Sequence, residues 1–489
     1  MRATLRRLGD VIPLPVSVRP EAAANFQVSP TVAVSADPAA AGIAEQVAEL
    51  LRRVTGHPVP VTEAGGSIKI LLEGYDKNEA YRIDVAATGV TLRAATEQGL
   101  FNALQTLRQL LPEGRADEVV LPGGTIEDEP RFAYRGTMLD LARHFFTPDE
   151  IKSYLDQIVQ FKINHLHLHL SDDQGWRLEI PGWPRLTEVS GGEGTGVDGV
   201  GGGFLTTAEY TDLVAYAERR FVTIVPEIDL PGHVNAAQVA YPELTCDGEQ
   251  LTARTDAEVG YSSLCANREE TYAFVEDVIR EVAALTPGPF LHIGGDEAFS
   301  TPPEDYRTFL NRVLPMPGKY GKRAVGWHEM AAVELPPSAV PQYWRIEPAD
   351  DGVARAARDG HQVIMSPADR SYLDMKYDKD SPLGLDWAGV VGVERSYDWD
   401  PADRLPGVGE ESLLGVEAPL WSETLRSPAD VEFMAFPRLP AIAEIGWTPR
   451  AARDWASFQA RVAAFGPRWT TQGVNFHRSR EIDWESPEG

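Results

Sequence analysis

The amino-acid sequence predicts an α/β protein in which a (β/α)8 barrel of the TIM type follows a smaller α+β domain. After the acidic segment IEDEPRF, strand and helix patterns alternate, and strands that alternate with helices form parallel sheets. Eight strand candidates occur there, the number that closes such a barrel. Reactive side chains gather where these strands end. We therefore expect a supporting domain at residues 1–127 and a catalytic barrel at residues 128–489.

The N-terminal domain is predicted from two helical patterns and a hairpin. Apolar residues recur at helical spacing over 39–54, and a second helix is expected over 98–111. Between them, the alternating segments YRIDVA and VTLRAA indicate two strands joined across Thr88-Gly89. No cluster of catalytic residue types occurs in this region, so we interpret it as a supporting domain.

The barrel strands are predicted from short apolar runs that turn or helix signals follow. The eight strand candidates are 136–142, 164–170, 221–229, 289–295, 323–329, 339–345, 361–367 and 413–421. Helices are expected at 149–161, 207–219, 268–285 and 350–358.

The composition excludes several classes of protein. Of 489 residues, 43% are hydrophobic, which excludes a mainly disordered chain, and the formal net charge is -28. Such a charge repels phosphate backbones and anionic lipids, so we expect no nucleic-acid partner and no membrane partner. No apolar run approaches the roughly 20 residues that span a bilayer. We expect a monomer or a homodimer.

The sharpest motif is HIGGDE, which ends at Glu297 after the fourth strand candidate. Its two glycines allow a tight turn that presents Asp296 and Glu297 side by side. Carboxylates held close together cannot both ionise freely, so the pKa of one rises while the other stays charged. A protonated carboxyl beside an ionised one is what cleavage of a glycosidic bond requires.

Aromatic residues follow the strand candidates as well. The sequence has 11 tryptophans, and five of them follow or end strands, where indole rings stack on the apolar faces of sugars. These five are Trp176, Trp327, Trp344, Trp387 and Trp421. The arrangement favours a carbohydrate cleft over a set of core aromatics.

Two histidine patterns remain. The segment HLHLHL places His165, His167 and His169 on one face of a strand, which is polar packing or, as the alternative, part of a metal site in a metal-dependent hydrolase. After the third strand candidate, Asp229 and His233 are spaced so that the carboxylate could orient the imidazole. Beside a glycosidase and a metal-dependent hydrolase, a third interpretation of the whole sequence is a non-catalytic sugar-binding protein.

The motifs RGTMLDLARHFF, NHLHLHLSDDQGWR, VPEIDLPGH, HIGGDE, QYWR, YLDMKY and GVEAPLWSE together resemble glycoside hydrolase family 20, in the same order. This family contains the exo-acting β-N-acetylhexosaminidases. The resemblance covers residues from about 130 to 449, and the preceding domain is similar to the family's N-terminal domain on weaker grounds. It implies release of terminal non-reducing β-linked GlcNAc or GalNAc from small oligosaccharides or glycoconjugates, without a cofactor or a metal.

The resemblance also implies a role for each candidate residue. Glu297 would be the general acid and base, Asp296 would hold the acetamido N–H, and the substrate's own acetamido oxygen would attack C1 to give an oxazolinium ion with net retention. Tyr372 would bind the acetamido oxygen inside a box of Trp327, Trp344 and Trp421. His233, paired with Asp229, would tune the acid. The sugar hydroxyls would bind to Arg143, Asp172, Glu423 and Asp374, and Trp387 would stack on the leaving sugar.

The two cysteines, Cys246 and Cys265, leave localisation open. Their number and spacing are equally compatible with two free thiols and with one local bridge. The chain carries no apolar core of a signal peptide, so we expect a cytoplasmic protein by default, with secretion as the alternative. Secreted bacterial members of the resembling family can carry a disulfide in the loop after the third strand, where both cysteines fall.

Overall fold

The computed structural model describes residues 6–74, 77–347 and 350–484, which form two compact units. The first unit contains the described chain up to Ala133, the segment Gln157–Lys162 and the described chain from Ala443 to Trp484. The second unit contains Tyr134–Asp156 and Ile163–Ile442. The predicted division into a supporting domain at residues 1–127 and a catalytic barrel at residues 128–489 stays a prediction.

The first unit is built on a seven-stranded mixed sheet. In spatial order its strands are Ser17–Pro20, Gly124–Asp128, Tyr81–Ala86, Gly89–Ala94, Ile68–Leu72, Val34–Ala36 and Val61–Thr62. A separate pair joins Phe26–Gln27 to Val120–Leu121. The helices are Ala41–Thr55, Glu97–Leu110 and Trp455–Gln472, the first two close to their predicted positions.

The predicted hairpin forms, but its turn lies one residue earlier than expected. Ala86 pairs with Gly89, so Ala87 and Thr88 make the turn and Gly89 belongs to the strand. A Cβ at Gly89 would lie 2.2 Å from the carbonyl oxygen of Ser67 on the neighbouring strand. The glycine is therefore required by a close backbone approach between strands and not by the turn.

The second unit is a closed barrel of eight parallel strands. In chain order they are Tyr134–Asp140, His165–His169, Thr223–Glu227, Phe290–His292, Arg323–Trp327, Val340–Tyr343, Val363–Met365 and Leu413–Ala418. Each strand pairs with the next along the chain, and the eighth closes the barrel on the first. The predicted (β/α)8 fold is confirmed, and every strand lies within two residues of a predicted start.

The remaining helices lie between these strands, except the last two, which follow the eighth strand. Their bounds are Pro148–Ile158, Arg185–Ser190, Thr207–Glu218, Asn235–Ala240, Glu269–Leu285, Pro303–Val313, Met316–Lys319, Asp351–Arg358, Ala368–Ser371, Val393–Tyr397, Pro401–Arg404, Pro428–Ala435 and Arg438–Trp447. Local sequence explains where helices begin: Thr206 and Glu209 form a capping box at Thr207–Glu218. Among the described residues, no helix is both long and apolar enough to cross a membrane.

The barrel interior has two apolar clusters at different heights. The base cluster consists of residues at or before the middle of their strands: Tyr134, Val225, Phe290, Val325, Val340, Ile364 and Leu414. The mouth cluster lies at and beyond the strand ends, and it consists of Met138, Trp327, Ala368, Tyr372, Met375, Ala388, Val391 and Trp421. Because barrel enzymes carry their chemistry at the carboxyl ends of the strands, the mouth cluster marks where a site belongs.

The loop after the third strand is closed covalently. Cys246 and Cys265 form a disulfide across a sequence separation of 19 residues, so the bridged alternative is the one that the structure contains.

Candidate active site

The turn that follows the fourth strand presents two adjacent carboxylates, as the sequence predicts. A Cβ at Gly294 would lie 1.7 Å from Asp229 Oδ1, and the N–H of Gly295 donates to that same oxygen at 3.0 Å. Both glycines have positive φ, and so does Glu297, at 45°. A left-handed glutamate is uncommon, and such strained residues concentrate at functional sites.

Asp296 and Asp229 lie against each other inside the mouth of the barrel. Burial, together with the negative charges of Glu297 and Glu227, raises the pKa of Asp296 to about 6 even though His233 acts to lower it. Burial and the nearby Asp296 raise the pKa of Asp229 well above its usual range. One oxygen of each carboxylate, Asp296 Oδ1 and Asp229 Oδ2, accepts no hydrogen bond from the described residues. These two groups therefore offer unused acceptors beside Glu297, and both have raised pKa values.

His233 lies next to the carboxylates, but its partner is not the one predicted. Its Nδ1 is 3.0 Å from Asp172 Oδ1, whereas the sequence spacing had suggested a pair with Asp229. Its Nε2 lies 3.5 Å from Glu297 Oε2 and 3.7 Å from Asp296 Oδ2. Burial alone would lower the pKa of His233, but the charges of Asp172, Asp229 and Asp296 raise it well above its usual range. The pairing with Asp229 is thus wrong, and Asp172 orients the imidazole.

Asp172 is therefore engaged with protein groups instead of being free for a sugar hydroxyl. Its Oδ2 is 2.9 Å from the guanidinium of Arg143 and 2.6 Å from Nε2 of His169. Burial opposes its charge, but Arg143 and His233 hold its pKa well below the usual range. We correct the predicted contact between Asp172 and substrate accordingly, because its oxygens already accept charge-assisted hydrogen bonds.

Arg143, Glu423 and Asp374 form a second polar group at the mouth. The Arg143 guanidinium also donates to Gln174 Oε1 at 3.0 Å and lies 5.0 Å from the ring centre of Trp421. Glu423 Oε2 and both carboxylate oxygens of Asp374 are buried without a hydrogen bond to the described residues. Burial, followed by the charge of Glu423, raises the pKa of Asp374 well above its usual range. This group offers unused acceptors beside a cation, which suits binding of hydroxyl groups.

Four of the five predicted tryptophans come together with Tyr372. The ring centres of Trp327 and Trp421 are 5.7 Å apart, and Trp344 stacks on Tyr372 at 6.5 Å. Trp387, which is 48% exposed, meets both Trp344 and Tyr372 edge-on at 5.9 Å. The result is a walled aromatic box with one exposed ring at its rim.

Trp176 does not belong to this box, so its interpretation as a cleft wall is wrong. It is 1% exposed, donates from Nε1 to the carbonyl oxygen of Leu178 at 2.7 Å, and packs against Phe274 of the helix Glu269–Leu285. It is a core residue outside the barrel interior.

The interior histidines bind carboxylates. His167 Nδ1 lies 2.9 Å from Glu417 Oε1, and His169 Nδ1 lies 2.6 Å from Glu227 Oε2. His165 instead stacks on Tyr134, with ring centres 3.9 Å apart. The set His167, Glu227 and His292 is close enough to share an ion. The metal alternative thus keeps a concrete candidate site, which a chelator tests below.

Two carboxylates that received no role from the sequence also belong to the site. Glu227 Oε1 accepts from Nε1 of Trp327 at 2.9 Å, and Glu329 Oε2 accepts from Nε1 of Trp344 at 3.1 Å. Each therefore anchors one wall of the box. Both residues could have been found from the sequence, because they lie at the ends of the third and fifth strands, where catalytic residues of barrel enzymes are expected.

Comparison with known proteins agrees with this geometry. Residues 132–450 match the catalytic domain of glycosyl hydrolase family 20, and residues 9–129 match domain 2 of the same family. A β-N-acetylhexosaminidase of Cellulomonas fimi is 40% identical over 485 residues, covering 98% of this chain and 97% of the relative. A β-hexosaminidase of Akkermansia muciniphila is 30% identical, covering 95% and 94%.

Solved structures are similar over the same length. The N-acetyl-β-hexosaminidase of Streptomyces plicatus, in complex with Thio-NAglucal, superposes with a TM-score of 0.96 at 49% identity and covers 99% of both chains. The family 20 β-N-acetylhexosaminidase of Streptomyces coelicolor A3(2) superposes with a TM-score of 0.95 at 48% identity, covering 99% of this chain and all of the other.

The fold and the site thus define a glycoside hydrolase built on a TIM barrel. More particularly, the chain belongs to glycosyl hydrolase family 20, which confirms the resemblance seen in its motifs.

Proposed function

We propose that the protein is a retaining exo-β-N-acetylhexosaminidase that uses its substrate's acetamido group as the nucleophile. The observation that carries the proposal is the pair Asp296 and Glu297 on one turn. Adjacent carboxylates cannot flank a sugar ring from opposite faces, as the two-carboxylate glycosidases require, whereas substrate-assisted hydrolysis needs only one acid and one group that holds the acetamide.

In the first step Glu297 donates its proton to the glycosidic oxygen while the acetamido oxygen attacks C1. Asp296 accepts the acetamido N–H and stabilises the positive charge that develops, which its unused Oδ1 permits. Tyr372 binds the acetamido oxygen. In the second step Glu297 takes a proton from a water molecule that opens the oxazolinium ion at C1, so the β configuration is retained.

The remaining residues bind and orient the substrate. Trp327, Trp344 and Trp421 enclose the acetyl group, and Trp387 stacks on the leaving sugar from its exposed position. Arg143, Glu423 and Asp374 hold the hydroxyl groups of the terminal sugar. Asp172 and His233 act on the acid, with Asp229 supporting Asp296. Support comes from a relative: a mutant of the Streptomyces plicatus β-hexosaminidase has been solved in complex with its product GlcNAc.

Turnover of aryl glycosides tests the proposal. The purified protein is expected to hydrolyse an aryl N-acetyl-β-glucosaminide and to leave the matching aryl β-glucoside, which lacks the acetamido group, essentially untouched. NMR of the first product formed is expected to show the β anomer. Equal rates on the two glycosides would rule out substrate assistance, and no turnover of either would favour a sugar-binding protein.

A chelator separates the metal alternative. Activity on the aryl N-acetyl-β-glucosaminide is expected to be unchanged after dialysis against EDTA. Loss of activity that Zn²⁺ or another divalent ion restores would favour the metal-dependent hydrolase instead.

A further inference from the structure

Glu227 contacts both the aromatic box and the charged groups that lead toward Glu297. It ends the third barrel strand and is completely buried. Its Oε1 accepts a hydrogen bond from the indole of Trp327 at 2.9 Å, while its Oε2 lies 2.6 Å from Nδ1 of His169. One oxygen of this carboxylate therefore holds a wall of the aromatic box, and the other holds His169. Two further histidines lie close to the same oxygens: His292 Nδ1 is 3.0 Å from Oε1, and His167 Nε2 is 2.9 Å from Oε2.

His169 carries this connection further. Its second nitrogen, Nε2, lies 2.6 Å from Asp172 Oδ2. Since carboxylates accept hydrogen bonds, an imidazole between two of them donates from both nitrogens and is positively charged. Burial opposes that charge, but Glu227 and Asp172 raise the pKa of His169 well above its usual range. His169 therefore joins Glu227 to Asp172, with one close contact at each ring nitrogen.

Asp172 passes the connection to the reacting groups. While its Oδ2 binds His169, its Oδ1 binds Nδ1 of His233 at 3.0 Å. The other nitrogen of His233 lies 3.5 Å from Glu297 Oε2. Glu227, His169, Asp172 and His233 form an unbroken row of buried contacts, which we call the interior relay, from the floor of the box to the acid.

We propose that Glu227 is a positioning residue for the hydrolysis: it fixes Trp327 directly and, through the interior relay, it fixes the His233 that faces Glu297. This inference rests on the proposed function, because it assigns Glu227 a part in protonating the leaving group. The residue touches neither the sugar nor the reacting atoms in that mechanism.

Replacement by glutamine separates charge from shape. In one orientation the new amide N–H group meets Nδ1 of His169, which must then give up its proton. In the other orientation the amide N–H group meets the indole N–H of Trp327. The first orientation keeps both hydrogen bonds but leaves His169 neutral, and the second loses the hydrogen bond from Trp327. Glu227→Gln therefore changes the connection with little change in volume and without opening a cavity.

The test compares Glu227→Gln with a matched variant, Glu417→Gln. Glu417 is also completely buried in the barrel, and it binds His167, Gln342 and Tyr134. In the described chain it makes no hydrogen bond to His169 or Trp327, and it is linked to Glu227 through His167, whose Nε2 lies 2.9 Å from Glu227 Oε2. For each variant, kcat and KM are measured on N-acetyl-β-glucosaminides with a good leaving group, 2,4-dinitrophenol, and with a poor one, phenol.

For Glu227→Gln we expect kcat on the phenyl glycoside to fall about 10- to 100-fold, the usual cost of losing a supporting partner. The dinitrophenyl glycoside needs little protonation, so its kcat is expected to fall several-fold less, with KM on both nearly unchanged. Glu417→Gln is expected to lower the melting temperature and leave the ratio of the two rates as in the wild type. Trp327→Phe, which loses only the box contact, is expected to slow both substrates equally.

A double variant tests the route. If Glu227 acts through His233, then adding Glu227→Gln to His233→Gln lowers the phenyl glycoside rate by much less than the product of the single losses. Three results would each overturn the inference. They are a double-variant loss equal to the product of the single losses, an equal fall of kcat on both glycosides in Glu227→Gln, or the same difference between the two glycosides in Glu417→Gln.

If Glu227→Gln does not fold by circular dichroism, His169→Gln carries the same test, since it breaks the relay and leaves the bond from Trp327 to Glu227. It must then produce the same leaving-group split, and an equal fall on both substrates overturns the inference. A wild-type protein that cleaves neither glycoside would instead overturn the proposed function.

Discussion

The base and the mouth of the barrel both bury side chains, but they differ in whether their buried carboxylates have hydrogen-bond donors. The base cluster is apolar, and the carboxylate beside it is paired: Tyr134 donates to Glu417, which also binds His167. At the mouth, several carboxylate oxygens are buried without a hydrogen-bond donor among the described residues. They belong to Asp229, Asp296, Asp374 and Glu423.

This difference shows where stability has been given up for binding. A buried carboxylate without a partner costs free energy, and it responds by holding its proton more tightly. The raised pKa values of Asp296, Asp229, Asp374 and Glu423 are the signs of that cost. A partner that the protein lacks is one that a substrate can supply. Substitutions at the mouth should therefore change catalysis, and substitutions at the base should change stability.

The largest effect is expected for Glu297→Gln. Because the amide cannot donate a proton as an acid does, kcat/KM on the phenyl N-acetyl-β-glucosaminide is expected to fall about 10³-fold, within the range for general acid catalysis. The dinitrophenyl glycoside, whose leaving group departs without a proton, is expected to lose far less in its first step. Steady-state kinetics on both substrates measure the two losses.

Circular dichroism should show Glu297→Gln folded, with a melting temperature near that of the wild type, since the side chain lies at the open end of the site. An equal loss on both leaving groups would contradict the role of Glu297 as the acid. A loss explained by unfolding would erase the contrast between mouth and base.

The second largest effect is expected for Asp296→Asn, which should lower activity while raising stability. Without the carboxylate that accepts the acetamido N–H, kcat/KM is expected to fall about 10²- to 10³-fold. In the wild type kcat/KM should also decline below about pH 6, because protonation at a pKa of about 6 removes the same acceptor. That acidic decline should be absent from the residual activity of the asparagine variant.

The stability of Asp296→Asn should change in the opposite direction. The pKa of Asp296 is about 6 in the folded protein, above the usual value near 3.9 of an unfolded chain. The folded state therefore binds the proton more tightly, and ionisation of Asp296 destabilises it as the pH rises through 6. The variant should be more stable than the wild type at pH 7.5, by up to about 3 kcal/mol, and the difference should vanish near pH 4. Melting curves at both pH values decide this, and a less stable variant at pH 7.5 would contradict the raised pKa of Asp296.

The sequence predicted the site residues best where they directly follow a barrel strand. Eight short apolar runs located the strands, and the rule that barrel chemistry sits at the carboxyl ends then located Asp296, Glu297 and the box. The motif HIGGDE was readable because its glycines serve a local turn. The family resemblance added the roles, which spacing alone does not supply.

Errors arose where a residue's role depends on another strand. His233 was assigned to Asp229, four residues away, but its partner Asp172 lies 61 residues away on the loop of the second strand. Gly89 was assigned to a turn, but it is required by the backbone of Ser67 on a neighbouring strand. Trp176 follows a strand as the box residues do, yet it faces Phe274 on a helix. Such contacts are properties of the folded barrel and leave no local pattern.

Removal of the disulfide is expected to lower stability and, to a smaller extent, activity. It closes the loop that carries Ser262, whose hydroxyl binds Asp173 and accepts from the N–H of Val234 at 2.9 Å. The double variant Cys246→Ser and Cys265→Ser should be about 3 kcal/mol less stable, as expected for a loop of roughly this length. Its kcat/KM should fall less than about tenfold, because the loop supports the site without touching the substrate in the proposed mechanism. Denaturant melts and kinetics on the phenyl glycoside measure the two effects, and an unchanged stability would contradict a stabilising bridge.

The smallest effect is expected at the base, for Ile364→Val. Ile364 is completely buried in the base cluster, in the middle of the seventh strand, so removal of one methylene group should cost about 1 kcal/mol of unfolding free energy. The barrel mouth is held by its own contacts, so kcat, KM and the ratio between good and poor leaving groups should equal those of the wild type. Urea melts and kinetics on the two aryl glycosides check both statements. A change in the leaving-group ratio would mean that packing at the base reaches the acid, and the contrast between a stabilising base and a catalytic mouth would fail at its simplest point.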